Sequence, residues 1–141
     1  MPTSSAPPRL ESLEDLEGAG LSGLLKSIDE GLPAGLAGKM EKRLEVGPEK
    51  MAHLLGVSPR TLKRRREDGT LSRVESERLY RIARLLQAAT RVFGSKEEAR
   101  SWLKRPQVGL GGEVPLEIAR LEPGARETER LLGRIEHGIP A

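Results

Sequence analysis

The 141-residue chain contains no cysteine, which excludes disulfide bonds and thiolate metal sites and fits a reducing compartment. Aromatic residues are scarce, with Tyr80, Phe93 and Trp102 making up the whole set. Proteins that grip single strands or RNA stack bases on aromatic platforms, so this scarcity argues against that class. No apolar run approaches the ~20 residues of a membrane-spanning helix. The N-terminus lacks the basic start and apolar core of a secretion signal, so a cytoplasmic location with no membrane partner is expected. Histidine is rare as well: His53 and His137 are the two, and His53 has no His, Asp or Glu partner at ligand spacing. Neither a metal site nor a catalytic constellation emerges, and no enzyme activity or cofactor is expected. The segment "GLGGE", Gly109 to Glu113, lacks the glycine spacing and the Gly-Lys-Ser/Thr ending of a phosphate loop and reads as a turn.

What the chain does have is charge, unevenly placed. The net charge is +3. From Met1 to Gly31, Arg9 and Lys26 face six carboxylates, a net of −4, whereas Lys39 to Arg66 holds nine basic and three acidic residues, a net of +6. Such asymmetry points to a localised anionic partner.

Pro and Ser crowd the first nine residues, and an N-terminal arm is drawn over residues 1–18. Beyond it the chain reads as all-α, a series of helices set off by Gly and Pro. Leu21, Leu24, Leu25 and Ile28 recur at helical spacing and stop near Gly31, and Leu36, Met40 and Leu44 share a face of the next helix. Pro48 opens a third helix that Gly56 closes, and Pro59 opens a fourth running to about Glu67. Ser72-x-x-Glu75 is a capping box before a long helix to Phe93, and Ser95-x-x-Glu98 repeats it before a helix that Pro106 ends. Two last helices follow a turn-rich linker, with Gly138 placed as a C-terminal cap.

"PEKMAHLLGVSPRTLKRRRE" has the internal spacing of a helix-turn-helix. Met51, Leu55, Val57 and Leu62 supply the apolar contact, Ala52 permits a close crossing, and Gly56 suits a turn with positive φ. Ser58-Pro59 restarts the second helix as cap and first residue. In this motif the second helix enters the major groove N-terminus first. Ser58, Arg60, Thr61, Lys63 and Arg64 are therefore the candidates nearest base edges, with Arg65 and Arg66 better placed for phosphate. With ~3.6 residues per turn, the run must wrap around the helix, and a purely solvated basic face is the competing reading.

From "RTLKRRREDGTLSRVESERLYRIARLL" onward the chain resembles antitoxins of the Xre/MbcA/ParS type. The shared features are R-T-L-x-R-R, L-S-x-x-E-S-x-R-L-x-R, A-x-x-W-L-x-x-P, L-G-G-x-x-P-L and a closing L-x-x-I-E-x-G, spread over roughly Leu54 to Ile139. The resemblance implies a helix-turn-helix domain over residues 19–80 and a helical toxin-binding domain over residues 81–141. It implies a type II toxin–antitoxin system in which the protein neutralises a RES-domain toxin that destroys NAD⁺. It also implies repression of the protein's own operon through operator double-stranded DNA, usually as a homodimer within a larger toxin–antitoxin complex. By position, Leu131, Leu132, Ile135, Glu136, His137, Gly138 and Ile139 fall in the closing helix and tail that contact the toxin in that family. From the residues alone, Leu131, Leu132 and Ile135 form an apolar stripe that suits a core or a helix-in-groove contact. The competing function is a stand-alone helix-turn-helix regulator with a C-terminal dimerisation module. Arg78, Arg81 and Arg84, three apart on the long helix, make a second basic stripe open to DNA backbone or toxin.

Overall fold

The computed structural model describes residues 10–139. Nine α-helices follow one another among these residues: α1 (Leu13–Gly18), α2 (Leu21–Glu30), α3 (Gly35–Leu44), α4 (Pro48–Leu55), α5 (Pro59–Asp68), α6 (Arg73–Phe93), α7 (Lys96–Leu103), α8 (Pro115–Ile118) and α9 (Glu122–Glu136). A 3-10 turn, Val108–Leu110, sits between α7 and α8. The only β-type pairing in the described region is two isolated bridges, Pro33 with Thr70 and Gln107 with Glu113. The expected all-α class is what forms.

Local chemistry accounts for most boundaries. Ser72 accepts from the Glu75 amide while Glu75 accepts from the Ser72 amide, so the capping box at α6 closes in both directions. At α7 only half of the expected box forms, with Ser95 accepting from the Glu98 amide. Gly56 ends α4 at φ 74° and lets the Val57 amide reach back to the Ala52 carbonyl at 2.9 Å. The chain then turns sharply into Ser58, whose hydroxyl caps α5. Gly138 closes α9 in the same manner, with the Ile139 amide on the Arg134 carbonyl at 2.8 Å.

α6 is the axis of the molecule. Helices α1, α2, α4, α7 and α9 all pack against it, so the expected division between residues 80 and 81 falls inside an unbroken helix. Leu79, Leu85 and Ala89 of α6 are fully buried, as are Met51, Ala52, Leu55 and Leu62 within a few per cent. Met51, Leu55 and Leu62 are three of the four apolar contacts expected of a helix-turn-helix, Val57 is half-buried against the same core, and Ala52 sits where a close crossing is expected. Trp102 stacks at a tilt on Phe93, with ring centroids 5.5 Å apart, and pins α7 to the end of α6.

The N-terminal arm is shorter than its composition suggests. Leu10, Leu13 and Leu16 are buried, α1 opens on a reciprocal Ser12–Asp15 capping box, and the helix packs on α3 and α6. Three leucines at spacing three outweigh the acidic character of the segment, because charges on the opposite face stay in water. The Pro- and Ser-rich residues 1–9 lie outside the described residues.

Candidate functional site

The basic run on α5 divides by direction. Residues 60, 63, 64 and 67 lie at helical spacing on the outer arc, whereas 62, 65 and 66 point back toward the protein. Leu62 enters the core, and the two following arginines are taken up by carboxylates of the chain itself. Arg65 Nε donates to Glu75 Oε1 at 2.9 Å and its Nη2 donates to Oε2 at 3.2 Å, a forked pairing on a buried carboxylate. Arg66 pairs with Glu41 of α3. Sequence position alone turns both toward phosphate. Their position on the inner arc, beside acidic groups of other helices, gives them a structural task instead.

Arg60, Lys63 and Arg64 are exposed, and among the described residues none of them forms an ion pair. The Ser58 hydroxyl accepts from the Thr61 amide at 3.1 Å and donates to the Thr61 hydroxyl, also at 3.1 Å. Both side chains are therefore committed to starting the helix, with the remaining lone pairs facing outward. The outer arc thus presents two guanidinium forks and one ammonium from a rigid, capped helix. That set can grip phosphates and can make bidentate contacts to guanine edges.

Glu75 carries the local electrostatics. Burial pushes its carboxyl up, but hydrogen bonds from Arg65 and the Ser72 amide outweigh that and hold it below the ordinary 4.5. The same pairing raises Arg65. Because the folded value is lowered, this stabilisation is present above the unfolded pKa and is lost as pH falls through the folded one. Glu75→Gln should therefore cost about 2 kcal/mol at neutral pH, with a shallower loss of stability on acidification below about pH 4.5. Urea denaturation of both proteins at several pH values tests this, and parallel pH curves would contradict it.

The second basic stripe is not free either. Arg78 Nη1 donates to the Leu55 carbonyl at 2.9 Å, holding the end of α4 onto α6. Arg81 is buried, donates to the Arg120 carbonyl at 2.9 Å, and pairs with Glu77 and Glu122. Arg84 pairs with Glu129 of α9 at 2.7 Å. Spacing of three put them on one face of α6, and that face is the one α4, α8 and α9 close over. Each guanidinium is thus engaged within the chain, so the three do not form a free basic strip among the described residues.

One junction has no signal in the sequence. Glu117 of α8 receives a hydrogen bond from Lys50 and lies 2.8 Å from His53 Nε2, tying the first helix of the motif to the C-terminal half. Burial pushes Glu117 up, and Lys50 and His53 more than offset it. No local spacing signals a partnership across more than sixty positions, so His53 looked isolated.

The closing segment splits as well. Leu131 and Leu132 are buried in the core, which removes them from the expected contact set; their face of α9 lies on α6. Ile135 is half-buried against the core, whereas Glu136, His137, Gly138 and Ile139 are exposed. Ile139 keeps 54% of its surface in solvent.

Two family models match this chain. One, described as an antitoxin Xre-like helix-turn-helix domain, matches residues 23–84. The other, described as the antitoxin Xre/MbcA/ParS C-terminal toxin-binding domain, matches residues 88–138. Among curated proteins the chain is similar to the antitoxin Xre of Photorhabdus laumondii subsp. laumondii, 35% identical over 79% of this chain and 77% of that protein. It is similar to the antitoxin Xre of Yersinia enterocolitica at 34% identity, covering 82% of this chain and 80% of that one. It is also similar to the antitoxin Xre of Pseudomonas putida at 31% identity, covering 79% and 69%.

Proposed function

The chain belongs to the Xre antitoxin family, and from that premise we propose that it neutralises a RES-domain toxin that degrades NAD⁺ while repressing its own operon. In this reading it is the protein antitoxin of a type II system, acts in the cytoplasm without catalysis, and binds operator DNA as a homodimer. The observation that carries the DNA half is the outer arc of α5, where Arg60, Lys63 and Arg64 form no ion pair among the described residues. The inward arginines of the same helix are spent on Glu75 and Glu41.

Ser58 and Thr61 complete the groove-facing set, positioned by the cap they share. Residues up to about 84 form the DNA-binding half and those from about 88 the toxin-binding half, with α6 as the beam that both hang from. On the toxin side, we assign contact to the exposed end of α9, from Ile135 to Ile139 through Glu136, His137 and Gly138. Leu131 and Leu132 hold that end in place from within the core.

Co-expression with the RES-type product of a neighbouring gene tests the proposal. The chain should co-purify with that product and relieve its growth arrest. Ile139→Asp should weaken co-purification without lowering the melting temperature, because the side chain is exposed. Leu132→Ala should instead destabilise the fold by about 2–5 kcal/mol. A chain that neither binds nor protects would remove the RES assignment, and an Ile139→Asp variant that binds normally would remove the tail.

A further inference from the structure

Two grooves on the C-terminal half meet where α8 turns into α9, and both are lined by Ile118, Pro123 and Gly124. Gly109 and Leu110 of the 3-10 turn bank the first, and Leu121 banks the second. Val108, the most exposed large apolar side chain of the described residues at 95%, immediately precedes Gly109 in that turn. Leu121 is itself 68% exposed.

Both side chains stand in water on fixed backbone. The Gln107 amide donates to the Glu113 carbonyl at 3.0 Å, and the Gly112 amide donates back to the Gln107 carbonyl at 2.9 Å. Gln107 Nε2 also donates to the Trp102 carbonyl at 2.9 Å, so the turn carrying Val108 is tied at its base. An anchor held out in this way loses little freedom when a partner covers it. Leu121 occupies the N-cap of α9 and makes no side-chain cap bond. Asp or Ser there would accept from the Gly124 amide, since Pro123 has no N–H to offer. At both positions a polar residue would suit the isolated chain better, and local conflicts of this kind gather where a surface is used. An apolar face rimmed by charge marks a protein contact.

The rim selects the partner. Glu113, Glu117 and Glu127 line the two grooves against Arg120 alone. Glu113 forms no ion pair among the described residues. Three carboxylates repel phosphate, so this face is unsuited to DNA. They complement instead a protein segment whose apolar side chain is flanked by lysine or arginine. The face also lies wholly within residues 88–138, the part that matches the toxin-binding family model.

We propose that the face running from Val108 across Ile118 to Leu121 is a docking surface for the toxin, which lays an apolar side chain between basic neighbours into it. This use of the face rests on the toxin reading above and adds to the contact at Ile139.

Isothermal titration calorimetry of the full chain against the RES-type product of the neighbouring gene is the test. The native chain should bind, and Val108→Glu and Leu121→Asp should each weaken binding by ~10-fold or more. Neither should lower the melting temperature, because Val108 is almost wholly in water and Leu121→Asp supplies the missing cap. Leu21→Asp places the same charge on a similarly exposed leucine of α2, and it should bind as the native chain does. Glu113→Lys should weaken binding and flatten its salt dependence. Native affinity in either Val108→Glu or Leu121→Asp overturns this face and leaves the toxin reading standing. Equal weakening by Leu21→Asp also overturns it, because the position of the charge would then not matter. A native chain with no affinity for the product overturns both readings.

Discussion

Gly124→Ala is expected to destabilise the C-terminal half by about 3 kcal/mol or more, beyond the usual cost of overpacking. Gly124 lies in the first turn of α9, where the chain doubles back from α8. A Cβ there would stand 1.9 Å from the Ile118 carbonyl oxygen and 2.4 Å from its carbon. Both are backbone atoms, and the oxygen already accepts from the Leu121 amide at 3.2 Å, so no side-chain rotation removes the clash. Relief requires α8 and α9 to separate. That movement would pull Leu116, Ala119 and Ala125 out of the core and shift the Arg120 carbonyl away from Arg81. Gly133→Ala is the control within the same helix: its added Cβ meets nothing within 4 Å. It should be neutral or stabilising by up to about 1 kcal/mol. Urea unfolding, read as a midpoint shift at constant slope, separates the two. Equal midpoints for the two variants would show that the turn is looser than its geometry implies. The functional corollary is loss of toxin protection in Gly124→Ala, because the exposed end of α9 is aimed by this packing.

The second large effect concerns DNA. Arg60→Ala and Arg64→Ala should each weaken operator binding by about 1–3 kcal/mol if they read bases. The pair together should lose about 2–6 kcal/mol if they act independently. Lys63→Ala should act mainly through the salt dependence, lowering its slope by about 1. Arg66→Ala should behave differently again. It leaves Glu41 without its partner, so its effect should appear in stability, with affinity near native once the folded fraction is accounted for. Gel-shift titrations against the upstream region at several salt concentrations resolve these patterns. If Arg66→Ala weakened binding as much as Arg64→Ala, the sorting of α5 into a free arc and a tethered arc would be wrong.

That sorting also explains how one small chain can serve two partners. The Arg78, Arg81 and Arg84 face of α6, together with the Glu117 junction, fastens both halves to a single helix. Arg81 is the most committed of these, and its burial is tolerable because Glu77 and the carbonyls of Ala119 and Arg120 receive its Nη donors, with the Glu122 carboxylate 3.5 Å from Nε.

The helices, their caps and the motif are legible in the residues alone. Ser72 with Glu75, Gly56 before Ser58-Pro59, and Gly138 act on backbone groups within a few residues, so their effect is readable wherever they occur. Apolar spacing likewise marks the buried faces of α4, α5 and α6. What each charge does was decided only in three dimensions. Arg64 and Arg65 are neighbours with the same chemistry, yet one is free and the other is clamped to Glu75. Leu132 and Ile139 both fall in the closing segment that the resemblance assigns to toxin contact, yet one is core and the other is in water. Periodicity gives a side chain's direction around its own helix, but not what an opposing helix brings to meet it. The partners that settle these cases, Glu41, Glu117 and Glu129, arrive from distant parts of the chain, so only the tertiary structure could separate the arginines that hold the fold from those left to bind.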